Sequence, residues 1–141
     1  MKIRGFAEII AEFPDDTVEE DDEIVLFGGQ NVALAIGETL TSLGYTVTPP
    51  VHRFEYGWDF NVTAEGKRVW MQVSYLGDRD YVLSTEFIPK FSLFVSKKQI
   101  YAEMLERLNK ALAADPRFES VGWIYGRHIS DAPPTANPLD P

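Results

Sequence analysis

The chain of 141 residues contains no cysteine, which excludes disulfides, thiolate metal sites and a cysteine nucleophile. It also lacks a run of about 18 or more apolar residues, the length that a membrane-spanning helix requires. The first residues, MKIRGFAEII, are interrupted by Glu8 and precede no small-residue cleavage site, so we expect no secretory signal peptide. These absences together predict a cytoplasmic protein that does not contact a membrane.

Basic residues are scarce, because 13 Lys and Arg stand against 22 Asp and Glu and give a net charge of −9. A general nucleic-acid binder needs clustered Lys and Arg to contact phosphates, so this class of function is excluded. The negative charge is concentrated in residues 12–23, EFPDDTVEEDDE, which contain eight carboxylates and no basic residue. The other 129 residues therefore carry a net charge of only −1. The sequence indicates a nearly neutral body with one acidic segment.

The acidic segment does not match two specialised uses of carboxylates. A calcium loop of the EF-hand type needs a glycine at its sixth position and a glutamate at its twelfth, and DDTVEEDDEIVL has neither. Mimicry of duplex DNA needs charge spread over a long surface. Two interpretations remain, a solvated loop and a loop that docks a basic partner by electrostatic steering. The docking interpretation uses the side chains of Asp15, Asp16, Glu19, Glu20, Asp21, Asp22 and Glu23.

Apolar periodicity predicts an α+β fold. Helical spacing occurs in QNVALAIGETLTSL, residues 30–43, and in a second segment that runs from Ser96 to about Asp115. Strands are predicted at residues 2–10, 45–48, 58–63, 68–75, 81–88 and 117–126. The order β-α-β-β-β-α-β predicts a two-layer sandwich, with an antiparallel sheet of about five strands and two helices on one face. Residues 1–127 are predicted to form this single domain, and the Pro-rich residues 128–141 an extended or disordered tail.

Two of the predicted strands, WDFNVT and RVWMQVSY, alternate strictly between apolar and polar residues. A turn at AEGK places Trp58 opposite Val73, and the other apolar residues then pair on the same side. If the connection at residues 77–79 has an odd length, Val73 also lies opposite Leu83. The face away from the helices then carries six candidate binding residues: Asp59, Asn61, Arg68, Trp70, Gln72 and Glu86.

Trp70 among polar neighbours is typical of an interface anchor, although a tail or loop that covers a structural tryptophan would produce the same pattern. Asp59 and Glu86 could also form an acid/base pair, but strands exposed to water commonly carry such residues. His52 and His128 lack the spacing of metal ligands. The GGQN stretch at residues 28–31 precedes a helix but lacks a P-loop lysine. We therefore predict no metal, no cofactor and no catalytic residue.

A short, acidic, cysteine-free domain with an aromatic residue on a polar sheet face is similar in type to bacterial immunity proteins and antitoxins. That similarity implies an inhibitor that neutralises a basic partner, such as a nuclease toxin. The sequence thus favours a non-enzymatic protein–protein interaction domain over an enzyme. The alternative is a small-molecule-binding module or a small hydrolase-like enzyme that uses carboxylates on the open sheet face. A third hypothesis is a homo-oligomer joined through the same face.

Overall fold

The structure, a computed structural model, describes residues 2–88, 95–126 and 132–140. Within these ranges the chain forms two helices, α1 (Gln30–Ser42) and α2 (Val95–Ala113). Both helices occur where the apolar spacing predicted them. Neither described helix is long and apolar enough to span a membrane.

Eleven strands are present in the same ranges, and several are very short. In chain order they are β1 (Lys2–Ile3), β2 (Phe6–Ala11), β3 (Val18–Glu20), β4 (Glu23–Leu26), β5 (Thr46–Val47), β6 (Val51–Arg53), β7 (Gly57–Ala64), β8 (Lys67–Gly77), β9 (Asp80–Ile88), β10 (Phe118–Ile124) and β11 (Leu139–Asp140).

Seven strands form one antiparallel sheet in the order β10-β2-β9-β8-β7, and β5 and β6 both pair with β7. The prediction of an α+β fold with two helices and an antiparallel sheet is therefore confirmed. The predicted count of about five strands and the predicted order β-α-β-β-β-α-β are wrong. Strand β6 was missed because Pro49 and Pro50, which directly precede it, indicate a turn.

The predicted register of the central hairpin is confirmed, because Trp58 pairs with Val73 across β7 and β8. Its turn consists of Glu65 and Gly66. Their positive φ angles of 50° and 74° match a type I′ turn, whose backbone suits the twist of hairpin strands. The predicted pairing of Val73 with Leu83 is also confirmed. The connection between β8 and β9 is odd in length for a different reason than predicted, however. The turn itself has only two residues, and an irregularity in β8 between residues 75 and 77 contributes one further residue.

The hydrophobic core lies between the helices and the sheet face that carries Trp58, Val73 and Leu83. Gly29 at the start of α1 lies against Val73 and Trp58 of this face. Helix α2 contacts the same face, where the ring of Tyr101 stacks on Phe87 at 5.8 Å between centroids. Completely buried side chains of both layers fill the space between them, among them Ile36, Phe60, Met71, Met104 and Leu108. The predicted binding residues are consequently placed on the opposite face.

The described part of the C-terminal segment, residues 132–140, lies extended against the body. Thr135 and Trp123 exchange two backbone hydrogen bonds of 3.0 and 2.7 Å, and the amide of Arg4 donates to the carbonyl of Pro138 at 2.7 Å. Strand β11 pairs with β1, and the Arg4 guanidinium lies 5.0 Å from the ring centre of Tyr125. The division into a domain of residues 1–127 and a tail of residues 128–141 stays a prediction. Residues 127–131, including His128, lie outside the described ranges.

We expect a Tyr101→Phe substitution to weaken the loss of stability at alkaline pH. Burial raises the pKa of Tyr101 to about 12, and it likewise raises the pKa of Tyr81 to about 12, whereas an unfolded tyrosine titrates near pH 10. Because the folded pKa is the higher one, the stability from each ring is complete below about pH 10 and is lost as the pH rises through about 12. With the titrating hydroxyl of Tyr101 removed, the loss of stability should be less steep.

The same substitution should lower the free energy of unfolding at neutral pH by about 1 kcal/mol, because the Tyr101 hydroxyl lies 2.6 Å from the Thr85 hydroxyl in the core. Urea denaturation at neutral and alkaline pH measures both effects. An equally steep alkaline loss in the wild-type protein and the variant would contradict the assignment.

Candidate binding surface

The acidic segment forms a β-hairpin, where the sequence predicted a loop. Strands β3 and β4 pair with each other over residues 18–26, which we call the acidic hairpin. Its turn is formed by Asp21 and Asp22 with φ angles of 53° and 65°. Aspartate tolerates this left-handed region better than most residues, and the branched side chains of Val18, Ile24 and Val25 favour strands. Among the described strands, β3 and β4 pair only with each other.

The acidic hairpin exposes charge and apolar surface together. Its five carboxylates are solvent-exposed, and none forms an ion pair within the described residues; they belong to Glu19, Glu20, Asp21, Asp22 and Glu23. Three large apolar side chains are 37–39% exposed; they belong to Val18, Ile24 and Val25. The hairpin therefore presents an unneutralised negative surface with apolar residues beside it.

The acidic residues that precede the hairpin contact the rest of the chain. The Asp16 carboxylate accepts hydrogen bonds from the amides of Gly29 at 2.8 Å and Asn31 at 2.7 Å, at the N-terminus of α1. The Asp15 carboxylate accepts one from the amide of Thr17 at 3.0 Å, and hydrogen bonding to Thr17 lowers the pKa of Asp15. The GGQN stretch thus receives the chain's own Asp16 as its anion. Docking by the seven acidic residues stays a prediction, and Asp16 has a structural contact as well.

We expect Asp16→Ala to lower the free energy of unfolding by about 1–2 kcal/mol, because two amides at the start of α1 lose their acceptor and the helix dipole loses a favourable charge. Urea denaturation measures the loss. Asp15→Ala is the matched control, since it removes a neighbouring carboxylate that does not contact the helix, and its effect should be smaller. Equal urea midpoints for the wild-type protein and Asp16→Ala would contradict this structural role.

The predicted binding residues lie together on the sheet face opposite the helices, which we call the open face. Trp70 pairs with Asn61 of β7 on one side and with Glu86 of β9 on the other, and all three are half-buried. Gln72 pairs with Asp59 in the next row of this face, and Arg68 is exposed at its end. The register therefore places all six predicted residues on the same face of the sheet, although the Gln72 side chain is buried there.

Asp59 is the centre of a hydrogen-bonded group that holds part of the open face in place. The Gln72 amide nitrogen donates to one carboxylate oxygen at 2.6 Å, and the Arg53 guanidinium donates to the other at 3.1 Å. The Asp59 side chain is 14% exposed, whereas that of Arg53 is 58% exposed. Sequence reasoning missed Arg53 because it missed β6. The fixed group lies in the row beside Trp70, so that part of the surface is ordered before any partner arrives.

The carboxylates on the open face are separated. Asp59 and Glu86 lie on strands on either side of β8, about 10 Å apart from the strand spacing alone. Both oxygens of Asp59 already accept hydrogen bonds. Within the described residues, no group of three or more His, Asp or Glu side chains is placed to hold a metal ion.

Exposed aromatic residues lie near the base of the acidic hairpin, and sequence reasoning did not select them. Phe54 and Tyr56 are 60% and 63% exposed, and Phe54 contacts Phe27, the residue after β4, at 5.4 Å between ring centroids. His52 has a structural role here, since its Nε2 accepts a hydrogen bond from the Phe27 amide at 3.0 Å. The Trp58 indole donates to the carbonyl of the same residue at 2.7 Å. The stretch RFEY, residues 53–56, carried the signal, because its two aromatic residues alternate with charged ones.

Comparison of the chain with protein-family models, with curated proteins and with solved structures found no match.

Proposed function

We propose that the protein is a non-enzymatic interaction domain that binds a basic protein through the acidic hairpin and the open face. In its sharpest form the proposal is an inhibitor that neutralises a basic partner. The observation that carries it is the division of the acidic segment. Glu12, Asp15 and Asp16 contact the fold, whereas the five carboxylates of residues 19–23 have no cationic partner within the described residues.

The shape of the acidic hairpin suits a steering element. Like charges face each other across it at the pair Glu20 and Glu23, an arrangement that opposes the hairpin's own formation. A cationic partner would relieve this repulsion. Exposed charges attract a partner over roughly 10 Å at physiological salt, and such steering raises association rates by about tenfold or more. The exposed Ile24 and Val25 add apolar area that a bound partner would cover.

The open face supplies the features of an anchor. Trp70 is a large amphipathic side chain with polar neighbours, of which Gln72 and Asp59 are hydrogen-bonded to each other, and tryptophan is enriched among the residues that dominate binding energy. Phe54 and Tyr56 add exposed aromatic surface near the hairpin. In this proposal the hairpin sets the association rate and the region around Trp70 sets the dissociation rate.

A pull-down from the native host at low salt, followed by a high-salt wash and mass spectrometry, tests the proposal. The variant Glu19→Gln, Glu20→Gln, Glu23→Gln removes three charges from the hairpin. The matched control removes three exposed charges far from it in the sequence, with Glu65→Gln, Glu103→Gln and Glu106→Gln. Both variants have the same net charge, so a difference between them reports position.

The proposal predicts that the wild-type chain and the control variant both retain one basic protein. The hairpin variant should fail to retain it. The wash at high salt should release it from the wild-type chain. Equal retention by the hairpin and control variants would contradict the role of the hairpin. Retention of the protein itself and nothing else would favour a homo-oligomer or a small ligand instead.

A further inference from the structure

A trough of about 340 Å³ crosses the open face over strands β10, β2 and β9. Ile10 and Val82 form part of its lining, and Gly122, which pairs with Glu8, has no side chain, so that Pro134 packs directly against it. Pro134 from the C-terminal segment and Leu76, which is 65% exposed, also line the trough. Its lining therefore contains apolar side chains together with polar ones.

Two carboxylates stand in this lining. Glu8 and Asp80 are exposed on neighbouring strands, because Glu8 pairs with Val82 and Asp80 pairs with Ile10. Neither forms an ion pair within the described residues. Arg79, the residue before Asp80, is engaged elsewhere, with Glu12 and Glu119 each at 2.7 Å. The trough therefore combines apolar walls with two negative charges that the described chain does not neutralise.

We infer that this trough receives an arginine side chain of the basic partner, an inference that rests on the proposed function. Arginine has an apolar stem that can cover Ile10 and Val82 and a planar guanidinium that can donate to both carboxylates. A volume of 340 Å³ is at the small end of the range for ligand sites, which suits one side chain.

The position of the trough fits a single partner that covers both sites. Val82 lies four residues from Glu86 along β9, and Glu86 pairs with Trp70, so the trough and the tryptophan are about 13 Å apart along the strand. An interface of ordinary size spans that distance. One face of the partner could thus contact Trp70 and place an arginine in the trough.

The test uses N-acetyl-arginine amide as the probe and N-acetyl-citrulline amide as its neutral isostere. Two-dimensional amide NMR spectra of the full chain are recorded at low salt while each compound is added. The inference predicts saturable shifts for the arginine compound at residues 8–10, 80–82 and 120–122. The citrulline compound should bind about tenfold more weakly, since it cannot form the charged hydrogen bonds.

The double variant Glu8→Gln, Asp80→Asn should weaken arginine binding by about tenfold. A control, Glu103→Gln with Glu106→Gln, removes two exposed charges from α2 on the other side of the sheet and should leave binding in the trough unchanged. The inference is overturned if the arginine shifts are confined to residues 18–26, if citrulline binds equally well, or if the double variant binds as the wild-type chain does.

The outcome is separable from that of the proposed function. If the hairpin variant loses a basic partner while the trough does not bind arginine, the arginine site is wrong and the interaction domain remains. If the trough binds arginine but no basic protein depends on the hairpin, the proposed function is wrong and the cation site remains.

Discussion

Gly57→Ala is expected to lower the free energy of unfolding by about 3 kcal/mol or more, the largest stability loss that we predict. Gly57 has a φ of 124°, which L-residues rarely adopt. A Cβ atom there would overlap the carbonyl oxygen of Val73, and it would lie 3.0 Å from the carbonyl carbon of Val73 and 3.2 Å from the Cα of Ser74. These are backbone atoms of β8, so they cannot rotate away. Urea or thermal denaturation measures the loss.

Gly66→Ala is the matched control for this prediction. Gly66 also has a positive φ, 74°, but a Cβ atom there would meet no heavy atom within 4 Å. Its substitution should therefore cost only about 1–2 kcal/mol of backbone strain. The difference in stability between the two variants therefore measures the cost of separating β7 from β8. A hydrogen bond of 2.6 Å from the Ser74 hydroxyl to the carbonyl of Tyr56 lies next to this close approach. Equal stability of the two variants would show that the strands can separate there without cost.

Trp70→Ala is expected to raise the rate at which the captured basic partner dissociates by about tenfold or more, with little change in the association rate. The half-buried indole offers a large contact area on the open face, whereas in the proposed function the hairpin supplies the electrostatic attraction that governs encounter. Surface plasmon resonance with the partner from the pull-down measures both rates.

Leu34→Ala provides the control for the tryptophan variant. Leu34 is 41% exposed on α1, in the helix layer on the other side of the sheet, so its loss should leave both rates unchanged. Circular dichroism of both variants checks that the fold is intact. If the partner dissociates from Trp70→Ala at the wild-type rate, Trp70 does not anchor it. If Leu34→Ala raises the dissociation rate as much as Trp70→Ala does, the interface does not lie on the open face.

The central hairpin and its neighbour could be predicted from the sequence because apolar residues recur at every second position, as Val69, Met71 and Val73 do in β8. A shift of one residue would have turned Trp58 and Phe60 towards water, so the pattern permits one register. No comparable sequence pattern indicates which strands the N-terminal residues pair with. Strand β1 pairs with β11 at the other end of the chain, and β2 lies between β9 and β10. Such pairings depend on contacts far apart in sequence, which local patterns do not reveal.

The residue types of the candidate site could be predicted from the sequence, whereas the way the chain arranges them could be predicted less well. Charge alone favoured a loop for the acidic segment, since Glu20 opposite Glu23 disfavours a strand pair. The contact of Asp16 with the start of α1 spans 13 residues and brings together two segments that each resemble an ordinary turn. The trough was not predicted because Gly122 and Pro134 form it only after the C-terminal segment returns along β10.

Association kinetics show whether the acidic hairpin steers a basic partner to the open face, as we propose. The association rate of the captured partner is measured at several salt concentrations for the wild-type chain, the hairpin variant and the control variant that carries the same net charge. We predict that the hairpin variant associates about tenfold more slowly at low salt and loses most of the salt dependence, while the control behaves as the wild type does. Identical rates and salt dependence for the hairpin variant and the wild-type chain would contradict the account.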